Sequence, residues 1–86
     1  MERATYTIKD PLGIHARPAG LLVKKAKSYA GTKITLTANG ETVDLGQLMK
    51  LMSLGIKQGT EVAIEAEGPA EVEACAGLLA LLEEHL

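Results

Sequence analysis

The chain has 86 residues, of which 47% are hydrophobic, and its 9 Lys and Arg against 11 Asp and Glu give a net charge of −2. This length predicts one domain over residues 1–86, which would bury somewhat over ~60% of its unfolded surface. No segment is long enough to span a bilayer, and a single Cys75 excludes an internal disulfide framework. Because no signal-peptide pattern opens the chain, we expect a cytoplasmic protein.

Charge is distributed unevenly between the two halves of the chain. Residues 1–43 carry a net charge of +4 and residues 44–86 a net charge of −6. Much of the basic charge lies close together, at Arg17, Lys24, Lys25 and Lys27. Such a cluster can steer an acidic or phosphorylated partner protein, although a solvated helix face is the alternative. We expect no nucleic-acid partner, because the total charge is acidic and the chain has only two aromatic residues, which lie outside any basic stacking pattern.

The first half of the chain predicts a strand followed by a helix. Apolar and polar residues alternate over residues 3–9, which is typical of a half-buried strand, and Asp10-Pro11 would end it. Apolar residues then follow Pro18 at helical spacing, and proline is favoured in the first turn of a helix. We therefore predict a helix that begins next to His15 and ends at Ala30-Gly31.

A hairpin and a short helix are predicted next. Residues 33–38 alternate, and Asn39-Gly40 supplies the two positive-φ residues of a tight hairpin that returns through residues 42–43. Asp44 and Gln47 have the spacing of a capping box, and Gly55 can end the helix that follows. The predicted apolar side of this helix consists of Leu45, Leu48, Met49 and Met52.

The last predicted elements are a strand over residues 61–67 and a helix that Gly68-Pro69 starts. The inward side of this helix is predicted to be Val72, Cys75, Ala76 and Leu79. The resulting order is βαββαβα. Strands with one apolar face and helices with one apolar stripe bury both only when the helices cover a single side of an antiparallel sheet. The predicted fold class is therefore α+β, an open-faced β-sandwich.

The most informative stretch is Gly13-Ile14-His15-Ala16-Arg17-Pro18-Ala19-Gly20, which places an imidazole beside a guanidinium at the predicted helix start. The first amides of a helix lack intrahelical partners and favour a bound anion, and the charge of Arg17 does not titrate. Imidazole is neutral near pH 7 and attacks phosphorus without a separate base. The arrangement therefore favours a transferable phosphoryl group, whose oxygens the amides of Ala16 and Arg17 and the Arg17 guanidinium can meet.

The strings G-I-H-A-R-P-A at residues 13–19 and M-S-L-G-I at residues 52–56 resemble the HPr family of the bacterial phosphoenolpyruvate:sugar phosphotransferase system, over essentially the whole chain. The resemblance implies a four-stranded antiparallel sheet with three helices on one face. It also implies that His15 accepts a phosphoryl group from enzyme I through Nδ1 and passes it to IIA domains, with the other ring nitrogen accessible or bonded to solvent. A carrier of this kind is expected to hold little catalytic apparatus, with no cofactor or metal of its own.

In that family the first two helices form the docking surface, and the matching residues here are Ile14, Gly20, Lys24, Lys27, Leu48 and Met52. The apolar run over residues 48–52 exceeds what one buried stripe of a short helix requires, and Met side chains adapt to different partners. An ordinary core contribution is the alternative, more so for Met49 than for Met52. A surface that must be free for two partners in turn favours a monomer.

Two positions depart from the family pattern. Gln47 stands where many Gram-positive members carry a regulatory serine, so control by HPr kinase at this site is excluded. Leu12 replaces a Ser or Asn that could help to bind phosphate, which makes a paralogue in a regulatory or non-sugar, nitrogen-type phosphorelay the alternative. A purely regulatory binding module and a small enzyme such as an acyl-phosphate hydrolase are two further classes that remain open.

The second histidine and the cysteine are interpreted as structural. His85 lies in the last turn of the last predicted helix, where a histidine suits the helix dipole, and Cys75 lies on an apolar stripe. A metal site built from His15, His85 and Cys75 would need ligands from three distant elements without ligand-type spacing. We therefore expect no metal.

Overall fold

Four strands and three helices follow one another in the predicted order. The computed structural model describes residues 1–86, with elements β1 (Glu2–Thr7), α1 (Ala16–Lys27), β2 (Lys33–Ala38), β3 (Glu41–Asp44), α2 (Leu48–Ser53), β4 (Glu61–Glu67) and α3 (Glu71–His85). None of the helices has the length and apolar character needed to cross a membrane.

The strands form one antiparallel sheet in the order β1-β4-β2-β3. β4 is therefore central, and its residues 62, 64 and 66 are almost completely buried. Leu36 of β2 lies opposite Ile64, so both side chains face the same layer. The helices cover this face, which confirms the predicted open-faced sandwich of a four-stranded antiparallel sheet with three helices.

The core is a single cluster of 20 buried residues and contains no buried polar or charged side chain. Its largest fully buried members are aliphatic: Ile8, Leu22, Leu36, Leu45, Leu51, Ile64, Leu78, Leu82 and Val62. Cys75 belongs to this cluster, and burial raises the pKa of its thiol. The thiol is therefore protonated at neutral pH and packs as a small apolar group.

The hairpin between β2 and β3 has the predicted turn. Asn39 has φ 53° and Gly40 has φ 79°, which are the two positive values that this turn requires. The hydroxyl groups of Thr37 and Thr42 also lie 2.7 Å apart across the strand pair. The Asn-Gly pair therefore sets the register of β2 against β3.

The first helix ends earlier than predicted. α1 stops at Lys27, and Ser28 is its C-cap, two residues before Ala30. The amide and the hydroxyl of Ser28 both donate to the carbonyl oxygen of Lys25, at 3.0 Å and 2.6 Å. These bonds satisfy a carbonyl group of the last turn, so the helix does not continue to Gly31.

The prediction for α2 was wrong in its cap and in its buried face. Asp44 is the last residue of β3, and its Oδ1 accepts a hydrogen bond from the amide of Gly46 at 2.7 Å, while Gln47 is the N-cap without a side-chain hydrogen bond. Leu51 is the buried residue of the helix. The helix begins three residues after Leu45, so the predicted stripe 45-48-49-52 never forms as a helical face.

The two methionines of α2 differ in exposure in the opposite sense to the prediction, which favoured a core position for Met49 more than for Met52. Met49 is 79% exposed, whereas Met52 is partly buried and packs against the core. Leu48 is 39% exposed. A six-residue helix can direct only one stripe inward, and Leu51 occupies it.

The inward face of α3 is rotated relative to the prediction. Its buried residues are Ala74, Cys75, Leu78 and Leu82, whereas Val72 is 64% exposed and Ala76 is also exposed. The run of leucines over residues 78–82 allows two helical faces, and the pair Leu78 and Leu82 packs inward at the favourable i, i+4 spacing. The small side chain of Ala74 then lies one turn earlier on the same face.

Candidate functional site

His15 lies at the N-cap of α1 and is available for chemistry. Its backbone is extended, with φ −119° and ψ 178°, and its side chain makes no capping hydrogen bond. The side chain is 39% exposed, and Nδ1 has no hydrogen-bond partner within the chain. The predicted position of this imidazole at a helix start is confirmed.

The first turn of α1 presents free hydrogen-bond donors beside this ring. The amides of Ala16 and Arg17 donate to no acceptor in the chain, and the first amide to be used is that of Ala19, which donates to the carbonyl oxygen of His15 at 3.0 Å. Pro18 has no amide hydrogen to offer. Arg17 is exposed and forms no ion pair, and the turn contains no acidic residue. An anion at this position would gain two amide donors, the helix dipole and one guanidinium.

A tight turn before His15 fixes the approach to the helix. The amide of Gly13 donates to the carbonyl oxygen of Asp10 at 2.9 Å, and the amide of Leu12 donates to Oδ1 of Asp10 at 2.8 Å. Pro11 lies at the corner of this turn, and Gly13 has φ 67°. The Asp10-Pro11 pair therefore does more than end β1, because it also shapes the segment that carries the histidine.

The M-S-L-G-I segment holds this turn from the other side. The amide of Ile14 donates to the carbonyl oxygen of Ile56 at 3.0 Å. A Cβ atom at Gly13 would overlap that same oxygen and would lie 2.8 Å from the Cα of Lys57. Gly55 ends α2 with φ 60°, as predicted. The two sequence motifs are therefore in direct backbone contact, although His15 and Met52 are 37 positions apart in the sequence.

His15 and Arg17 share a cleft of about 120 Å³ with two residues that the sequence did not connect to them. The first is His85, which reaches the cleft from the last turn of α3; the sequence predicts a structural role for it at the end of the helix and does not place it near His15. The second is Asp10, whose Oδ2 lies 3.6 Å from Nε2 of His15. From the sequence, this nitrogen is expected to be accessible or bonded to solvent, with no carboxylate placed beside it; the side chain as a whole is 39% exposed. The D-P-x-G turn signal five residues before His15 was the available clue to Asp10.

Comparison with known proteins identifies the family. The family profile described as "PTS HPr component phosphorylation site" matches residues 2–84. The chain is 38% identical to the phosphocarrier protein HPr of Mycoplasma pneumoniae over 85 residues, which cover 99% of this chain and 97% of that protein.

The chain belongs to the HPr family. Among solved structures, a mycoplasma histidine-containing phosphocarrier protein superposes with a TM-score of 0.92 at 32% identity, covering 96% of this chain and 93% of the other. HPr of Thermoanaerobacter tengcongensis superposes with a TM-score of 0.91 at 38% identity, covering 98% and 93% of the two chains. Both agree with the sandwich described above.

The residues that match the HPr docking surface differ in exposure. Gly20, Lys24 and Lys27 follow Arg17 at helical spacing on α1; the two lysines are exposed, and neither forms an ion pair. Ile14 is only 8% exposed and lies in the core cluster. Its side chain is therefore not part of an exposed surface, and the sequence expectation is corrected on this point.

Gln47 takes a structural place within the HPr fold. It is the N-cap of α2, and its side chain is exposed. Its backbone carbonyl oxygen accepts a hydrogen bond from the amide of Leu51 at 3.1 Å. It does not form the predicted reciprocal contact with Asp44. A glutamine has an amide and no hydroxyl group, so this position offers no hydroxyl oxygen for phosphorylation.

Proposed function

We propose that this chain is a phosphocarrier that accepts a phosphoryl group from phosphorylated enzyme I on Nδ1 of His15 and passes it to IIA domains of sugar permeases. The observation that carries this proposal is the partly exposed imidazole next to two unused helix amides and an unpaired Arg17. Membership in the HPr family supports the same chemistry.

The transfer step follows from the arrangement at the start of α1. The lone pair of Nδ1 attacks phosphorus, while the bond from phosphorus to the donor breaks and its electron pair leaves with the donor. The attached group brings about −1.5 to −2 charges and strong acceptor oxygens. The amides of Ala16 and Arg17 and the guanidinium of Arg17 meet these oxygens.

The strength of this anion site suits a carrier. A charge at a helix terminus gains typically ~0.3–1 kcal/mol, and the site is open to solvent on the side of Arg17. A modest gain of this size holds the phosphoryl group in place without preventing its transfer. Return of the N–P electron pair to Nδ1 then regenerates the neutral ring when an acceptor attacks phosphorus.

Partner docking is proposed on the surface formed by α1, α2 and the loop before His15. This surface combines the unpaired cations of α1 with exposed apolar side chains: Leu12, Leu21, Leu48 and Met49. The only other large exposed apolar residues are Met1 and Val72. Apolar side chains beside unpaired cations fit a transient interface with an acidic partner, whose association rate falls as salt rises.

The structure offers no specific observation for the regulatory alternative. The position of the regulatory serine holds Gln47, and Leu12 is 73% exposed and contributes no phosphate ligand through its side chain. Binding of the phosphoryl group therefore depends on the backbone and on Arg17. Gln47 argues against regulation through a serine, and the relatives that match over the whole chain are phosphocarrier proteins HPr, so the sugar phosphorelay is the proposed function.

The test is a charging assay with the purified protein, phosphoenolpyruvate and a generic enzyme I. We expect one added phosphoryl group, detected by mass, that is lost in acid or on heating and is discharged by an added IIA domain. A protein that never gains the group would contradict the proposal, as would an adduct that withstands acid. Turnover of an acyl phosphate by the protein alone would indicate a hydrolase instead.

A further inference from the structure

The carboxylate of Asp10 is held in one orientation by the turn that it starts. Its Oδ1 accepts a hydrogen bond from the amide of Leu12 at 2.8 Å, and its backbone carbonyl oxygen accepts from the amide of Gly13 at 2.9 Å. The side chain is 24% exposed. With Oδ1 occupied in this way, Oδ2 is the atom left to face the cleft.

Oδ2 of Asp10 faces one specific nitrogen of His15. The distance from Oδ2 to Nε2 is 3.6 Å, which is an ion-pair distance longer than a hydrogen bond. Contacts between groups that act together in a reaction are often long in the resting protein and shorten in the reacting complex. Asp10 is the only carboxylate that lines the cleft, and the other charged or titratable residues there are His15 itself, Arg17 and His85.

We propose that Asp10 is a positioning residue that keeps the proton of His15 on Nε2 and thereby leaves the lone pair on Nδ1. This inference rests on the proposed function, since it concerns the nitrogen that receives the phosphoryl group. A neutral imidazole carries one proton, and the group that faces one nitrogen decides which nitrogen holds it. A carboxylate can only accept a hydrogen bond, so it favours N–H at Nε2.

The same contact stabilises the ring during transfer. When the Nδ1 lone pair forms the bond to phosphorus, positive charge develops on the ring while the Nε2 proton stays in place. The Asp10 carboxylate faces this charge from the Nε2 side, whereas Nδ1 has no partner in the chain. When the N–P bond breaks towards an acceptor, its electron pair returns to Nδ1 and the ring becomes neutral again with the proton still on Nε2.

The decisive variant is Asp10→Asn, because it keeps the turn and reverses the hydrogen-bonding character at His15. The Asn side-chain oxygen can still accept from the Leu12 amide, which places the NH₂ group against Nε2 and requires that nitrogen to accept. We expect the neutral ring to shift towards the Nδ1–H form, as measured by ¹⁵N NMR of the imidazole. The rate of phosphoryl uptake from enzyme I should fall about threefold to tenfold, as suits a partly buried carboxylate that faces the charge developing on the ring.

Asp44→Asn is the matched control. Asp44 makes the same kind of turn contact, with its Oδ1 accepting from the amide of Gly46 at 2.7 Å, and it does not line the His15 cleft. We expect this variant to leave both the tautomer of His15 and the uptake rate at the wild-type values. The amide spectra of both variants report that the fold is kept.

Two results would overturn the role of Asp10: an unchanged His15 tautomer in Asp10→Asn, or a changed tautomer with an unchanged uptake rate. Failure of the wild-type protein to charge at all would overturn the proposed function instead. The two failures are distinguishable, because the first leaves wild-type charging intact.

Discussion

Replacement of His15 by Ala is expected to abolish phosphoryl uptake completely. The other nucleophilic side chain in the cleft is His85, and it lies at the C-terminal end of α3, where the helix dipole disfavours an added phosphoryl group. Only His15 has free helix amides beside it. The measurement is incorporation of labelled phosphate from phosphoenolpyruvate through enzyme I, compared at equal protein concentration.

His85→Ala is the matched control for this experiment, since the chain has only these two histidines and both line the same cleft. We expect it to retain charging and acid lability. Label that persists in His15→Ala and disappears in His85→Ala would assign the reaction to the other ring and would refute the site described above.

Gly13→Ala is expected to destabilise the fold by about 3 kcal/mol. A non-glycine residue in the left-handed region costs roughly 1–2 kcal/mol, and Gly13 has φ 67°. The added Cβ would also overlap the carbonyl oxygen of Ile56, a backbone atom that cannot rotate away, and forced packing shifts typically cost about 1–3 kcal/mol. Urea denaturation gives the change in the free energy of unfolding.

Gly55→Ala separates the two contributions to this loss. Gly55 also has a left-handed φ, 60°, but an added Cβ would meet nothing within 4 Å. We expect its free energy of unfolding to fall only by the roughly 1–2 kcal/mol that a left-handed backbone conformation costs a non-glycine residue. Equal losses in the two variants would mean that the overlap of the added Cβ with the Ile56 carbonyl oxygen carries no cost beyond the backbone term.

The sheet and the order of elements could be predicted because they depend on local patterns. The period-two alternation over residues 33–38 and 61–67 marks strands that bury one face, and Asn39-Gly40 has the turn geometry that its residue types require. Each of these signals is contained within a few residues. Tertiary packing did not override them.

The helix faces were less predictable because leucine-rich segments offer more than one apolar stripe. In α3 the pair Leu78 and Leu82 faces inward, and Val72 is left exposed. In α2 the capping-box spacing of Asp44 and Gln47 was misleading. Asp44 is the last residue of β3, and its side chain accepts a hydrogen bond from the amide of Gly46 instead of capping the helix. In α3 packing against β1 and β4 determines which of the possible faces is buried, and in α2 the later start of the helix leaves Leu45 outside it.

Only part of the candidate site could be predicted from the sequence, and the reason differs from that for the helix faces. His15, Ala16 and Arg17 are adjacent in sequence, so a helix start was enough to bring their groups together. His85 reaches the same cleft from the far end of the chain, and the orientation of the Asp10 carboxylate depends on the turn that follows it. Neither the position of His85 in the cleft nor the orientation of Asp10 could be predicted from the spacing of neighbouring residues in the sequence.

The most direct test of the central claim is NMR of the charged, ¹⁵N-labelled protein. We predict a phosphorus atom coupled to Nδ1 of His15, with the proton of that ring on Nε2. Phosphorus attached to an oxygen, to His85 or to Nε2 of His15 would contradict the account.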